Sequence, residues 1–417
     1  MTDVDQATAV PDLADPGAFD HGIPHERFAQ LRHESPVSKQ PFKGGQDYWA
    51  VTRYDDIVTV NRDYKTYSNA LGFTTLEDLT EESMKVRRSI IETDPPAHMR
   101  LRKLAMPPFT LRKVGDYVDQ TAAIAGRLLD AACDQGEVDF VRAVSAPFPM
   151  QVFTTILGVP EEDSDYMIEL SDHLVEGMEN TLAPDAYGNT TPLELLPFRS
   201  PAAHALFEYG RELGEQRRAD PKPDLISAIV NADLDGDRLS EVEYANFFQV
   251  LVFAGNETTR TAISNGIDAF ARFPEQLEKL HADPELVESA VEEIIRWATP
   301  VLYMRRTAAV DTELAGVPIA AGDKVVMWYC SANYDETVFE DPLEFRIDRP
   351  VRPKHLAFGA QGPHQCLGAS LARLEIKVLL QEILKRGLRF EPTGEALRTR
   401  SSFVNGISTL PLRITAG

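Results

Sequence analysis

The chain reads as mainly α with a small β region, folded as one large domain. Helical periodicity dominates from Arg100 to about Thr299 and is clearest in Val118–Ala132 and Leu239–Arg272. Period-two alternation is confined to short stretches toward the two ends, at Asp47–Thr52, within Tyr303–Trp328 and near Ile407–Ile414. No linker divides the chain, so strands from both ends must assemble around one helical body.

Residues 1–22 are polar with scattered prolines and read as a loosely held tail; residues 23–417 form the single domain, its helical body about 100–300. A helix is expected around Pro24–Glu34. Two stretches, Ser68–Ile91 and Met178–Ser200, are long enough to be functional loops, though by composition alone they read equally as mobile surface. Proline- and glycine-rich breaks fall near Pro184–Pro197 and Asp220–Pro223.

With 417 residues, 43% of them hydrophobic, the chain can bury a large core. No stretch reaches the roughly 18–20 uncharged apolar residues that span a bilayer, and Met1–Asp5 lacks the basic and apolar regions of a signal peptide. A soluble, cytoplasmic protein is expected, with a monomer as the default. Cys133, Cys330 and Cys366 have neither metal-pair spacing nor scaffold density, which suits a reducing compartment. The net charge of −23 argues against nucleic acid or an anionic membrane as partner, since both need a basic footprint.

Chemistry concentrates in three places. The run Phe358–Gly368 is a glycine-rich loop that delivers Cys366 to the start of a helix beginning Leu367-Gly368-Ala369. Helix N-termini stabilise anions, so this cysteine is placed to exist as thiolate. A lone cysteine after a loop is more often structural, and it is the surrounding spacing that argues otherwise. The run Leu251–Arg260 lies inside a long apolar helix. There Gly255 costs about 1 kcal/mol relative to alanine, and Thr258 can bond back to the carbonyl of Ala254, bending the helix and opening a groove. Glu257 and Thr258 then form an acid–alcohol pair suited to passing protons. Glu293 and Arg296 stand at i and i+3 on one helix face, a weak signal alone. His98 and Arg102, at i and i+4 just after Asp94-Pro95-Pro96, can converge on one carboxylate.

Together these runs resemble the signatures of the cytochrome P-450 family, the haem-thiolate monooxygenases. The family's cysteine loop reads Phe-Gly-x-Gly-x-His-x-Cys-x-Gly; here one extra residue stands between Gly359 and Gly362. The resemblance implies a single triangular-prism domain holding haem b, with Cys366 as iron ligand and Phe358, Gly359 and Gly368 around the cofactor. A thiolate on haem iron favours O–O cleavage. By the same resemblance Glu257 and Thr258 are catalytic, and Glu293, Arg296 and Arg349 form a buried structural brace. His98, Arg102, Arg306 and His364 meet the propionates; of Arg305 and Arg306 the second is preferred, on its spacing to Asp311.

Trp297–Pro300, Tyr303–Thr307 and Ser331–Glu336 look like the branch that hydroxylates methyl-branched lipids and sterol side chains, with terpenoid hydroxylases sharing much of the pattern. The implied substrate is apolar and small, O2 the oxidant. The implied electron donor is an iron–sulfur ferredoxin with its NAD(P)H-dependent reductase. Pocket candidates are Leu71, Phe73, Leu76, Val250, Ala254, Gly255, Val301, Leu302, Phe403 and Val404. Ferredoxin docking would fall to Arg102, Lys103, Arg112, Lys113, Arg352, Lys354, Arg373 and Lys377. Two other readings compete. A peroxygenase driven by hydrogen peroxide would carry an arginine in place of the acid–alcohol pair, and a non-catalytic haem sensor would need no proton relay.

Overall fold

The computed structural model describes residues 12–177, 182–233 and 238–417. Its largest sheet joins the two ends of the chain. Tyr48–Val51 runs parallel to Lys324–Trp328, pairing Tyr48 with Lys324 and Val51 with Met327. Tyr303–Ala308 lies antiparallel on the other side of Lys324–Trp328, and Val37–Gln40 and Tyr67–Ser68 form the edges. The central strand Lys324–Trp328 is buried throughout. That is what an apolar run packed on both faces should show.

The helical body is threaded by the 32-residue helix Glu241–Arg272, about 48 Å long at 1.5 Å per residue. Its start is fixed by a capping box, in which Ser240 accepts from the Glu243 amide and Glu243 accepts from that of Ser240. Beside it pack Pro147–Leu157, Val287–Ala298 and the 18-residue helix Ala369–Arg386 that follows Cys366. A three-stranded sheet of Glu137–Asp139, Pro411–Ala416 and Leu388–Pro392 closes the far side.

Three expectations change. Residues 12–22 are not a loose tail. Leu13 and Phe19 are buried, and the Phe19 ring stacks on Trp328 at 6.0 Å, so this segment closes the core beside the sheet. Residues 1–11 lie outside the described residues. The first long loop contains a helical segment, Glu81–Arg87, capped by the Thr80 side chain. In the second, 178–181 lie outside the described residues, and the rest is a chain of single turns ending at Pro197–Arg199. Finally, the long helix runs unbroken through Gly255. A Cβ there would meet the Phe153 ring at 2.7 Å, so the missing side chain makes room for an aromatic ring without a break in the helix.

Candidate active site

Cys366 sits in a cavity of about 300 Å³ bounded by the long helix, the cysteine loop and the first long loop. The loop is held by backbone bonds: the Cys366 amide donates to the Phe358 carbonyl at 2.9 Å and the Gly359 amide to Leu356 at 2.8 Å. Cys366 is exposed, and it lines this cavity. Burial raises the thiol above its ordinary range. The amides of Gly368 and Ala369 and the guanidiniums of Arg102 and Arg373 act the other way, favouring thiolate.

The extra residue in this loop is Gln361, which takes a left-handed φ of 50°. Its side chain accepts from Arg62 at 2.6 Å. Gly362 lies so close to the helix Tyr54–Arg62 that a Cβ would stand 2.1 Å from the Asn61 carbonyl. The insertion is therefore a bulge docked on that helix, away from the sulfur.

His98, Arg102, Arg306 and His364 all line one edge of the cavity. The two imidazoles lie with ring centres 3.9 Å apart, tilted 41° to each other. His98 Nδ1 and His364 Nε2 are buried with no hydrogen-bond partner, and burial lowers both pKa values, that of His98 to about 4. Arg306 is oriented by Asn61, whose Oδ1 accepts from it at 3.2 Å. Neither Arg102 nor Arg306 makes an ion pair among the described residues, and burial lowers the pKa of both. Arg305 points elsewhere, to the Glu77 carbonyl and Asp78. Asp311 takes no part, since it accepts from the Ala321 amide. Two uncompensated cations and two orphaned ring nitrogens beside one sulfur form a site short of anions. That donor set fits a haem, whose two propionates these cations and ring nitrogens would hold and whose iron Cys366 would bind.

On the long helix, Ala254, Gly255 and Thr258 open into the cavity between fully buried neighbours. Thr258 Oγ1 donates to the Ala254 carbonyl at 2.9 Å, as its spacing predicts. Glu257 does not join it there. Its carboxyl turns to the opposite side of the helix, toward a second, polar cavity of about 520 Å³ lined also by Asp172, His173 and Arg260. Arg260 Nη1 lies 3.6 Å from Glu257 and pairs with Asp172. Burial nonetheless raises the Glu257 pKa to about 7.

The brace is assembled. Arg296 makes two bonds to Glu293, at 2.7 and 2.8 Å, and Arg349 Nε a third at 3.0 Å. Arg296 also donates to the Asn333 carbonyl at 2.9 Å, and the Asn333 side chain accepts from the Leu356 amide at 2.6 Å, just ahead of the cysteine loop.

Of the pocket candidates, Phe73, Val250, Ala254, Gly255, Val301 and Phe403 line the cavity, as do Phe358, Gly359 and Gly368. Four do not. Leu302, Val404 and Leu76 are buried core, Leu302 bonding the Phe403 carbonyl, and Leu71 is 56% exposed. One side of an irregular strand or loop cannot be told from the other by apolarity alone. Sequence reasoning missed Phe153, Arg87, Phe198 and Gln249, which also line the cavity. Arg87 and Phe198, each inside a stretch read as a functional loop, carried a signal; Phe153 and Gln249, on helices, did not.

The chain is similar to known proteins over nearly its whole length. The chain is 38% identical over 405 residues to a methyl-branched lipid omega-hydroxylase of Mycobacterium tuberculosis, covering 95% of this chain and 92% of the relative. It is 36% identical over 395 residues to a steroid C26-monooxygenase of Mycolicibacterium smegmatis, covering 92% and 89%. A Mycobacterium marinum cytochrome P-450 in complex with pseudoionone superposes with a TM-score of 0.85 at 35% identity, covering 99% of this chain and all of that one. A family model for cytochrome P-450 matches residues 17–415. The chain therefore belongs to the cytochrome P-450 family and is a haem-thiolate monooxygenase.

Proposed function

We propose that this monooxygenase hydroxylates an unactivated C–H bond of an apolar small molecule, a branched lipid, sterol or terpenoid, with haem b as the cofactor. The observation that carries the reading is the cavity itself. Its wall is apolar around Phe73, Val250, Ala254, Val301 and Phe403, and it ends on a cysteine sulfur flanked by uncompensated cations. Haem, when bound, supplies oxygen activation, with thiolate ligation favouring O–O cleavage.

The chain's own residues do the rest. Cys366 binds the iron, its charge supported by the Gly368 and Ala369 amides. Arg102, Arg306, His98 and His364 hold the propionates. Thr258 presents a hydroxyl at the cavity wall, and Glu257 holds a proton near neutral pH behind it. The acid faces a polar cavity and the alcohol an apolar one, so protons would cross the helix between them while bulk water stays away from the substrate.

Electrons would come from an iron–sulfur ferredoxin and its NAD(P)H-dependent reductase, in the cytoplasm, to a monomeric enzyme. The docking surface is narrower than its cations suggest. Arg102 lines the cavity, Arg373 is paired with Glu292, Lys377 with Glu288 and Lys113 with Asp116. Lys103, Arg112, Arg352 and Lys354 are exposed and make no ion pair among the described residues. No helix among the described residues is long and apolar enough to cross a membrane.

The peroxygenase reading is disfavoured because Gly255 and Thr258 put no arginine into the cavity from this helix. The test is a titration of the ferric protein with a branched fatty acid, a cholestenone-type steroid and a monoterpene alcohol. Displacement of iron-bound water, seen as a low-to-high spin shift with at least one class and followed by a hydroxylated product, supports the reading. No shift with any class, or turnover equally fast with peroxide alone, overturns it.

A further inference from the structure

We propose that the end of the main cavity walled by Arg87 and Gln249 receives the carboxylate head of an elongated apolar acid, leaving the opposite end of that molecule at Thr258. This rests on the monooxygenase reading above and narrows its substrate class.

The Arg87 side chain is 0% exposed, yet it lines the cavity. Nη2 and Nη1 donate to the two oxygens of Glu77 at 2.8 and 3.3 Å and Nη1 also to the Glu194 carbonyl at 3.4 Å, while Nε has no partner. Glu77 is shared, because Arg199 Nε reaches its other oxygen at 2.5 Å. The adjacent Asp78 is shared too, by Lys324 at 2.7 Å and Arg305 at 3.5 Å. Four cations thus meet two carboxylates. Glu92, which accepts from Ser89 and Thr74, is a third carboxylate and lines the cavity, so the four cations exceed the three anions by one. Arg199 and its neighbour Phe198 both hold left-handed φ values, 52° and 56°, a conformation that side chains keep only when their surroundings impose it.

Gln249 supplies the second donor. It is 2% exposed, and its Nε2 has no partner. Asn246 Nδ2 donates to the Val86 carbonyl at 2.7 Å, which pins this turn of the long helix against the residue before Arg87. Buried, unpartnered donors under excess positive charge call for an anionic acceptor. The Arg87 guanidinium also stacks over the Phe73 ring at 4.6 Å, so an apolar wall begins where the donors end. Gln249 and Thr258 are nine residues apart on one unbroken helix, about 13 Å at 1.5 Å per residue. A molecule held by its head at Gln249 would present a remote carbon, near its far end, at Thr258.

The test titrates the ferric holoprotein at neutral pH with a methyl-branched long-chain fatty acid, its methyl ester and a neutral steroid ketone, reading the spin shift. The acid should bind about tenfold more tightly than its ester or the ketone, with oxidation at the chain end. Arg87→Leu should erase the acid-over-ester preference, and Gln249→Leu should weaken both, since each carries a carbonyl acceptor. If Arg87→Leu does not fold, half-exposed Arg199→Gln removes part of the excess charge and should lower the acid-to-ester ratio. An ester or ketone that binds as tightly as the acid overturns the proposal, as does a ratio unchanged in the Arg87 or Arg199 variant. A spin shift with the ester but not the acid leaves the monooxygenase reading standing, whereas loss of the thiolate signature in the reduced carbon monoxide spectrum overturns that reading too.

Discussion

At the scale of single residues, the site separates into groups whose neighbours set their charge. Cys366 has the Gly368 and Ala369 amides at its sulfur and two guanidiniums within electrostatic reach, so Cys366→His should abolish the thiolate signature of the reduced carbon monoxide complex; a retained signature would mean another ligand. Thr258 is the hydroxyl at the cavity wall, and Thr258→Ala should uncouple oxygen consumption from product, typically by the 10²–10⁴-fold scale of a lost acid–base group. Glu257 carries the pH dependence. Burial raises its pKa from 4.5 to about 7, so over that interval the native protein binds the proton more tightly than the unfolded chain does. The stability it contributes is complete at low pH and is lost as pH rises through 7. Glu257→Gln, which mimics the protonated form, should flatten that decline in thermal melts and remove the matching step from the pH profile of coupling. A profile identical to wild type would take Glu257 out of the relay.

At the scale of elements, the brace and the cysteine loop show how burial turns a weak sequence signal into a strong structural one. Glu293-Ile294-Ile295-Arg296 is an ordinary helical pair until Arg349 and the Asn333 carbonyl close around it. Removing Glu293 leaves two buried guanidiniums without their carboxylate, so Glu293→Ala should cost about 3–5 kcal/mol and release the Leu356 end of the loop, read out as lost haem and a lower melting temperature. Gly255→Ala forces a Cβ into the Phe153 ring, an overpacking of about 1–3 kcal/mol; an unchanged melting temperature would show that Phe153 moves aside. The helices and central strands were legible because period and length carry them. The direction of Glu257 was not legible, because adjacent residues on a helix point about 100° apart and the sequence does not say which side holds the substrate. Nor was the packing of residues 12–22, whose two buried anchors, Leu13 and Phe19, are too few to outweigh a polar composition.

At the scale of the whole molecule, the charge of −23 and the local cations must be read together. The resemblance marked eight basic residues as a docking face, but ion pairing is a property of the fold and removes Arg373, Lys377 and Lys113 from the free set, while Arg102 lines the cavity. Lys103, Arg112, Arg352 and Lys354 remain, interleaved with exposed Met106, Leu111 and Val351. A small basic and apolar face on an acidic protein would select an acidic partner by steering, while the rest of the surface repels it. First electron transfer from an acidic ferredoxin should therefore slow as ionic strength rises and the Debye length falls to about 8 Å. Arg112→Glu and Arg352→Glu should each reduce the second-order rate at low salt and leave it nearly unchanged at high salt, because a rim charge acts on encounter more than on the bound complex. Arg373→Gln should have the smaller steering effect, since its charge is already answered by Glu292 at 2.5 Å. Stopped-flow reduction across a salt series decides it. Equal effects from Arg373 and Arg112 would mean that pairing in the free protein does not predict availability to the partner, and rates insensitive to salt would remove electrostatic steering altogether.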